Sequence, residues 1–157
     1  MATYVLLHGA SSDAWYWHLV APRLAKDFTV VAADLRGYGD SGKPRGREDH
    51  SNYSFRRMAQ DQVDVMAHLG LKEFCVAGHD RGGRTAFRMA LDHADKVKKL
   101  ATFDILPTHH VLTKATWQWA LGSFHWFFMA QPYDIPERLI NGREDFYILK
   151  KLTAMGI

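Results

Sequence analysis

The stretch FCVAGHDRGGRTAFRMA, residues 74–90, constrains the fold of this chain more than any other. A short apolar run enters Gly78-His79-Asp80-Arg81-Gly82 and leaves as a helix. The small residues permit a strained strand-to-helix turn that lifts the central side chain above a sheet. The rest of the chain must therefore supply neighbouring strands and covering helices.

Three further runs fit as partners: TYVLLHG at 3–9, FTVVAAD at 28–34 and, more weakly, KLATFDI at 99–105. Continuous apolar runs rich in Val, Phe and Tyr predict strands buried on both faces. Between them, Trp17, Val20, Ala21 and Leu24 recur at i, i+3, i+4 and i+7, and Ala59, Val63, Met66 and Ala67 at i, i+4, i+7 and i+8, which predicts helices. Alternating β and α elements imply an α/β fold with a parallel sheet. Residues Asp34 to Ser54 carry four glycines, a proline and mixed charge, and form a long loop in which Asp34 and Arg36 are expected to fix the chain rather than take part in chemistry. After Asp104 the chain becomes helical and aromatic-rich, with shorter helices near 136–141 and 143–154. The division expected is a core over 1–106 and a helical cap, placed over the carboxyl ends of the strands, over 107–157.

An aspartate at the turn changes the chemistry. Serine there needs a base to remove its proton, whereas an aspartate of ordinary pKa, about 3.9, is already ionised at neutral pH. Attack on an acyl carbon would give a labile anhydride; attack on an sp³ carbon bearing a leaving group gives an ester. Alkyl halides and epoxides are the natural targets. Cleaving that ester needs a general base and an oxyanion hole, for which the backbone N–H groups of Arg81 and of Ala10, after the first strand, are candidates. Arg81 and Arg84, three apart at the start of the helix, can clamp a small carboxylate and select a haloacid over a neutral haloalkane. The competing reading makes them structural ion-pair partners and makes Asp80 a helix cap.

Twenty Lys and Arg against 17 Asp and Glu give a formal charge of +3, dispersed along the chain, which argues against a nucleic-acid partner. Cys75, the only cysteine, lies in an apolar run and is expected to be a buried thiol, in keeping with a reducing cytoplasm. The N-terminus reads as a strand rather than a signal peptide. Lys114, Gln118, Ser123 and His125 interrupt the aromatic segment before it reaches the roughly 20 apolar residues of a membrane span. No metal or cofactor is expected.

From about Phe28 to Tyr147 the chain resembles the fluoroacetate dehalogenases, haloacid-hydrolysing members of the α/β-hydrolase fold related to epoxide hydrolases and haloalkane dehalogenases. VVAADLRGYGDSGKP, AGHDRGGRTAFRMALDH, FDILPTHH and ALGSFHWFFMAQP carry the likeness. Neutral-substrate relatives typically have tryptophan where Arg81 stands. The resemblance implies that Asp80 is the nucleophile, that Arg81 and Arg84 bind the carboxylate of a small anionic substrate such as a haloacetate, and that Asp104 orients the catalytic histidine. It also implies that His125 and Trp126 hold the departing halide.

The likeness has departures. The family's catalytic histidine and halide-site tyrosine lie downstream of the cap, and no histidine follows His125 here. The chain begins at the family's third strand, and MATYVLLHGASSDAWYWHLVAPRL is more like small esterases. It reads as the middle half of an enzyme, with N-terminal strands and a C-terminal half absent. Alkylation of Asp80 is then expected to proceed while ester hydrolysis is crippled, unless His8, His109 or His110 serves as base. An epoxide hydrolase, and a non-catalytic fragment with an anion-binding pocket, are the alternatives. Unpaired sheet edges favour association, as a homodimer.

Overall fold

The computed structural model describes residues 1–154. Four parallel strands, β1 (Thr3–Leu7), β2 (Thr29–Ala33), β3 (Phe74–His79) and β4 (Val97–Phe103), lie in the order β2-β1-β3-β4. The helices are α1 (Ala21–Leu24), α2 (Phe55–His68), α3 (Arg81–Asp92), α4 (Thr108–Lys114), α5 (Trp117–Gly122), α6 (Phe124–Phe128), α7 (Ile135–Ile140) and α8 (Glu144–Ala154). Two compact units divide the chain, Met1–Val111 and Leu112–Ile157. Of the cap range expected from the sequence, residues 155–157 lie outside the described residues.

In the first unit the two central strands alternate faces with period two. Val5, Leu7 and Val76 pack with Met58, Ala59, Val63 and Met66 of α2 and Ala86 and Met89 of α3. Leu6 and Ala77 point the other way, against Trp17. The expectation of strands buried on both faces holds for β1 and β3. β2 and β4 are the outer two of the four strands described, and Leu100 and Phe103 of β4 are 38% and 49% exposed in this chain.

The helix expected over Trp17–Leu24 is instead a 3-10 turn at Ala14–Trp17 followed by the four-residue α1. Pro22 is the reason: lacking an N–H and fixing φ, it fits the first turn of a helix and cannot lie in its interior. On α2, Ala59, Val63 and Met66 are buried as expected, while Ala67 is exposed. The aromatic segment after Pro107 breaks into α4, α5 and α6, with the Thr116 side chain capping α5 by accepting from the Trp119 N–H. In the second unit Trp119 meets Trp126 edge to face at 5.2 Å, and Phe128 packs on Tyr147 at 5.9 Å.

Asp34 and Arg36 tie down the long loop. The Asp34 carboxylate accepts from the Ala14 N–H at 2.6 Å and the Asp40 N–H at 2.8 Å, and its carbonyl accepts from the Ser41 hydroxyl. Arg36 donates twice to Asp61 of α2, which Arg57 also reaches at 2.8 Å. Partial burial pushes the Asp34 carboxyl up, but the two amide hydrogen bonds outweigh it and hold the group below its ordinary value of 3.8. A carboxyl whose folded pKa is depressed stabilises the fold above its unfolded pKa and loses that contribution as pH falls through the folded value. Asp34→Asn is therefore expected to lower the urea midpoint at about pH 7, and to show a shallower fall than wild type between about pH 5 and pH 3.

Candidate active site

Parallel pairing brings the carboxyl ends of three strands side by side. Leu7 pairs with Gly78, and Gly78 and His79 pair with Thr102 and Phe103. The residues that follow, His8-Gly9-Ala10, Asp80 and Asp104, thus converge at one edge of the sheet, where ligand sites of open α/β folds form.

Asp80 sits between β3 and α3 with φ +47° and ψ −114°, a conformation that costs a non-glycine residue about 1–3 kcal/mol. Several contacts hold it there. Its amide donates to the Phe103 carbonyl at 3.3 Å, and its carbonyl accepts the first α3 hydrogen bond, from Arg84. Its Oδ2 accepts from the Ala10 N–H at 2.9 Å. One of the two amides expected to stabilise an oxyanion therefore already contacts the carboxylate. The other, the Arg81 N–H, opens α3, where amides lack partners within the helix.

Arg81 and Arg84 are both half-buried. Their guanidinium carbons lie over the ring of Phe55, the first residue of α2, at 5.2 and 5.9 Å from its centroid. The Arg81 Nε is buried with no hydrogen-bond partner among the described residues. Burial pushes the Arg84 guanidinium below its ordinary value; attraction to Asp80 offsets this in part, and repulsion from Arg81 adds to it. Phe55 and Arg84 also line a cleft of about 310 Å³ with Phe87, Ile105, Leu106 and His109.

The structure gives Asp104 a neighbour that sequence reasoning did not supply. Its carboxylate is 93% exposed, and its Oδ2 lies 3.9 Å from the Nε2 of His79. The His79 ring stacks on Tyr16 at 5.1 Å, 10° from parallel. His8 is not available as a base. Its Nε2 accepts from the buried Leu35 N–H at 2.9 Å, so the proton resides on Nδ1, 2.8 Å from the Gly9 carbonyl; the ring is fully buried with both nitrogens engaged. His109 and His110 are exposed on α4. His125 and Trp126 lie half-buried on α6 in the second unit, Trp126 against Trp119 and His125 against Phe124. Among the described residues no group of three or more His, Cys, Asp or Glu is placed to hold a metal ion, and no helix is long and apolar enough to cross a membrane.

The family model for the alpha/beta hydrolase fold matches residues 4–146. The chain belongs to the alpha/beta hydrolase fold family. It is 50% identical over 152 residues to a fluoroacetate dehalogenase from Burkholderia sp, covering 97% of this chain and 50% of that protein. It is 38% identical over 155 residues to a soluble epoxide hydrolase from Corynebacterium sp. (strain C12), covering 96% and 51%. The solved structure of a Nostoc sp PCC 7120 protein assigned to the alpha/beta hydrolases superposes with a TM-score of 0.90 at 51% identity, covering 98% of this chain and 53% of that one. The chain thus spans about half the length of the curated relatives it matches.

Within this alpha/beta hydrolase unit, sequence reasoning missed Phe55, Tyr16 and His79. His79 lies inside the quoted motif and was available as a titratable neighbour of Asp80. Phe55 gave no local signal, because its place beside α3 depends on how α2 and α3 pack.

Proposed function

We propose that this protein is a haloacetate dehalogenase-type hydrolase in which Asp80 displaces halide from a small 2-haloacid. The observation that carries the reading is the Asp80 carboxylate, held at a strained elbow on the Ala10 amide and flanked by two half-buried guanidiniums. A carboxylate oxygen of Asp80 forms a bond to C2 of the acid as the carbon–halogen bond breaks; the halogen leaves as halide with the bonding pair, and an ester remains. Arg81 and Arg84 bind the substrate carboxylate, offsetting the repulsion between two anions. His125 and Trp126 receive the halide, and Asp104 orients the base that serves ester hydrolysis. The amides of Ala10 and Arg81 then stabilise the oxyanion formed when water attacks the ester carbonyl.

His8 is locked by its hydrogen bonds and does not serve as the base for ester hydrolysis. Incubation with chloroacetate or fluoroacetate, with halide release and intact mass followed together, tests the proposal. One adduct per chain, mapped to Asp80, supports the half-reaction. Repeated turnover identifies a base elsewhere in the chain. No adduct in a folded sample defeats the proposal, and labelling by a neutral epoxide but not by either acid turns the assignment to an epoxide hydrolase.

Arg84→Leu is expected to raise the chloroacetate concentration for half-maximal labelling by about 10–100-fold, the loss of one or two charge-assisted hydrogen bonds. The concentration dependence of adduct formation measures it.

A further inference from the structure

His8 does more than accept the Leu35 N–H. That contact leaves the ring proton on Nδ1, which donates it to the Gly9 carbonyl at 2.8 Å. The carbonyl belongs to the same peptide unit as the Ala10 N–H. In a trans peptide the two groups point in opposite directions within one plane, so whatever holds the oxygen aims the hydrogen. The hydrogen meets the Asp80 Oδ2, with the amide nitrogen at 2.9 Å. The ring that does the holding is itself fixed. It is fully buried, takes the Leu35 N–H at 2.9 Å and meets Tyr38 edge to face at 5.1 Å. The Ser12 hydroxyl donates to the Gly9 carbonyl as well, at 3.0 Å. The remaining side of Gly9 is closed, since a Cβ there would stand 2.8 Å from the His79 Nδ1 and 3.2 Å from the Asp80 Cβ.

We propose that His8 is the positioning residue of the oxyanion amide: through the Gly9 carbonyl it aims the Ala10 N–H at the Asp80 oxygen on which charge gathers when the ester is cleaved. The inference rests on the reading of the Ala10 N–H as an oxyanion donor. His8 touches neither the substrate nor the reacting carbonyl and acts through one peptide unit. Donation to a carbonyl also polarises its peptide and strengthens the N–H at the other end, so one contact both orients the donor and improves it. The oxygen carries charge before alkylation and again in the tetrahedral intermediate, but not in the ester. Loss of the contact therefore bears on cleavage of the adduct more than on its formation.

Two substitutions separate the two halves of the ring. His8→Gln places an amide oxygen where Nε2 stands, keeping the acceptor for Leu35 and losing the donor to Gly9; His8→Asn places an amide nitrogen where Nδ1 stands and does the reverse. Each protein is labelled at Asp80 with chloroacetate, freed of reagent and treated with hydroxylamine. Hydroxylamine attacks the ester carbonyl, expels glycolate and leaves a hydroxamate, with no base required from the protein. Should the adduct decay unaided, that decay is the rate compared. Intact mass follows both steps, and NMR follows the Ala10 amide proton in the unlabelled proteins. His8→Gln is expected to shift the Ala10 signal upfield and to slow cleavage about tenfold, by more than it alters adduct formation. His8→Asn is expected to restore the signal and the cleavage rate, even as its unpaired Leu35 N–H lowers the urea midpoint. The opposite order, with His8→Gln like wild type and His8→Asn impaired, assigns His8 to holding Leu35 alone and overturns the proposal. If neither variant folds, NMR of the wild-type ring nitrogens decides: a proton on Nε2 overturns the proposal, and a slowly exchanging proton on Nδ1 sustains it. A wild type that takes no label at Asp80 defeats the nucleophile reading and this inference with it; equal cleavage in wild type and His8→Gln overturns this inference alone.

Discussion

Asp80→Asn is expected to abolish covalent labelling by chloroacetate, slowing adduct formation by on the order of 10⁴-fold or more, the scale on which removal of an enzyme nucleophile is felt. Asparagine is the informative replacement. It has the shape of aspartate, tolerates positive φ better than most residues, and so can keep the elbow at φ +47°. It also retains a side-chain oxygen to accept from the Ala10 N–H, now a contact at 2.9 Å to Oδ2. What it lacks is the negative charge that makes the oxygen a nucleophile without a base. Intact-mass kinetics on both proteins, with circular dichroism to establish equal folding, measures the effect. Labelling at the wild-type rate places the nucleophile elsewhere.

The second large effect falls on stability. Gly82→Ala is expected to destabilise the fold by about 3 kcal/mol, at the upper end for overpacking a tight interior. A Cβ at Gly82 would overlap the carbonyls of Leu7 and His8. Those atoms belong to a central strand and its exit, and cannot rotate aside as a flexible side chain would. Gly78 faces the same difficulty against the backbone of Gly82 and Gly83. These two contacts are why the elbow needs glycine on either side of Asp80: strand, turn and helix pass too close for any side chain. Gly46→Ala, in open space, serves as the control, with an expected change within about 0.5 kcal/mol. Urea denaturation of the three proteins compares them, and equal midpoints for Gly82→Ala and wild type would refute the steric account.

Much of the site was legible because its parts carry local signals. The apolar runs predicted all four strands to within about two residues, and the strand-to-helix motif placed Asp80 at an elbow with Arg81 and Arg84 on the helix that leaves it. Asp34 and Arg36 were expected to fix the loop, and their hydrogen bonds go to Ala14, Asp40 and Asp61. The pattern through Trp17–Leu24 had the right period, but period is blind to the missing N–H of Pro22.

The sequence by itself determined the elements and the side chains each carries: a strained turn built on glycine, an aspartate at its centre and two adjacent arginines. Periodicity, turn sterics and side-chain charge act within a few residues and can be read from a few residues. Only the tertiary structure decided which distant groups meet. Ala10 reaches Asp80 across 70 positions, Asp104 faces His79, His8 is consumed in holding Leu35, and Phe55 lies under both arginines. The physical reason is strand order. In a β2-β1-β3-β4 parallel sheet the carboxyl ends of β1, β3 and β4 are neighbours in space, and α2 and α3 must pack on one face of that sheet. Those contacts depend on the pairing of whole elements, which no single stretch of sequence encodes.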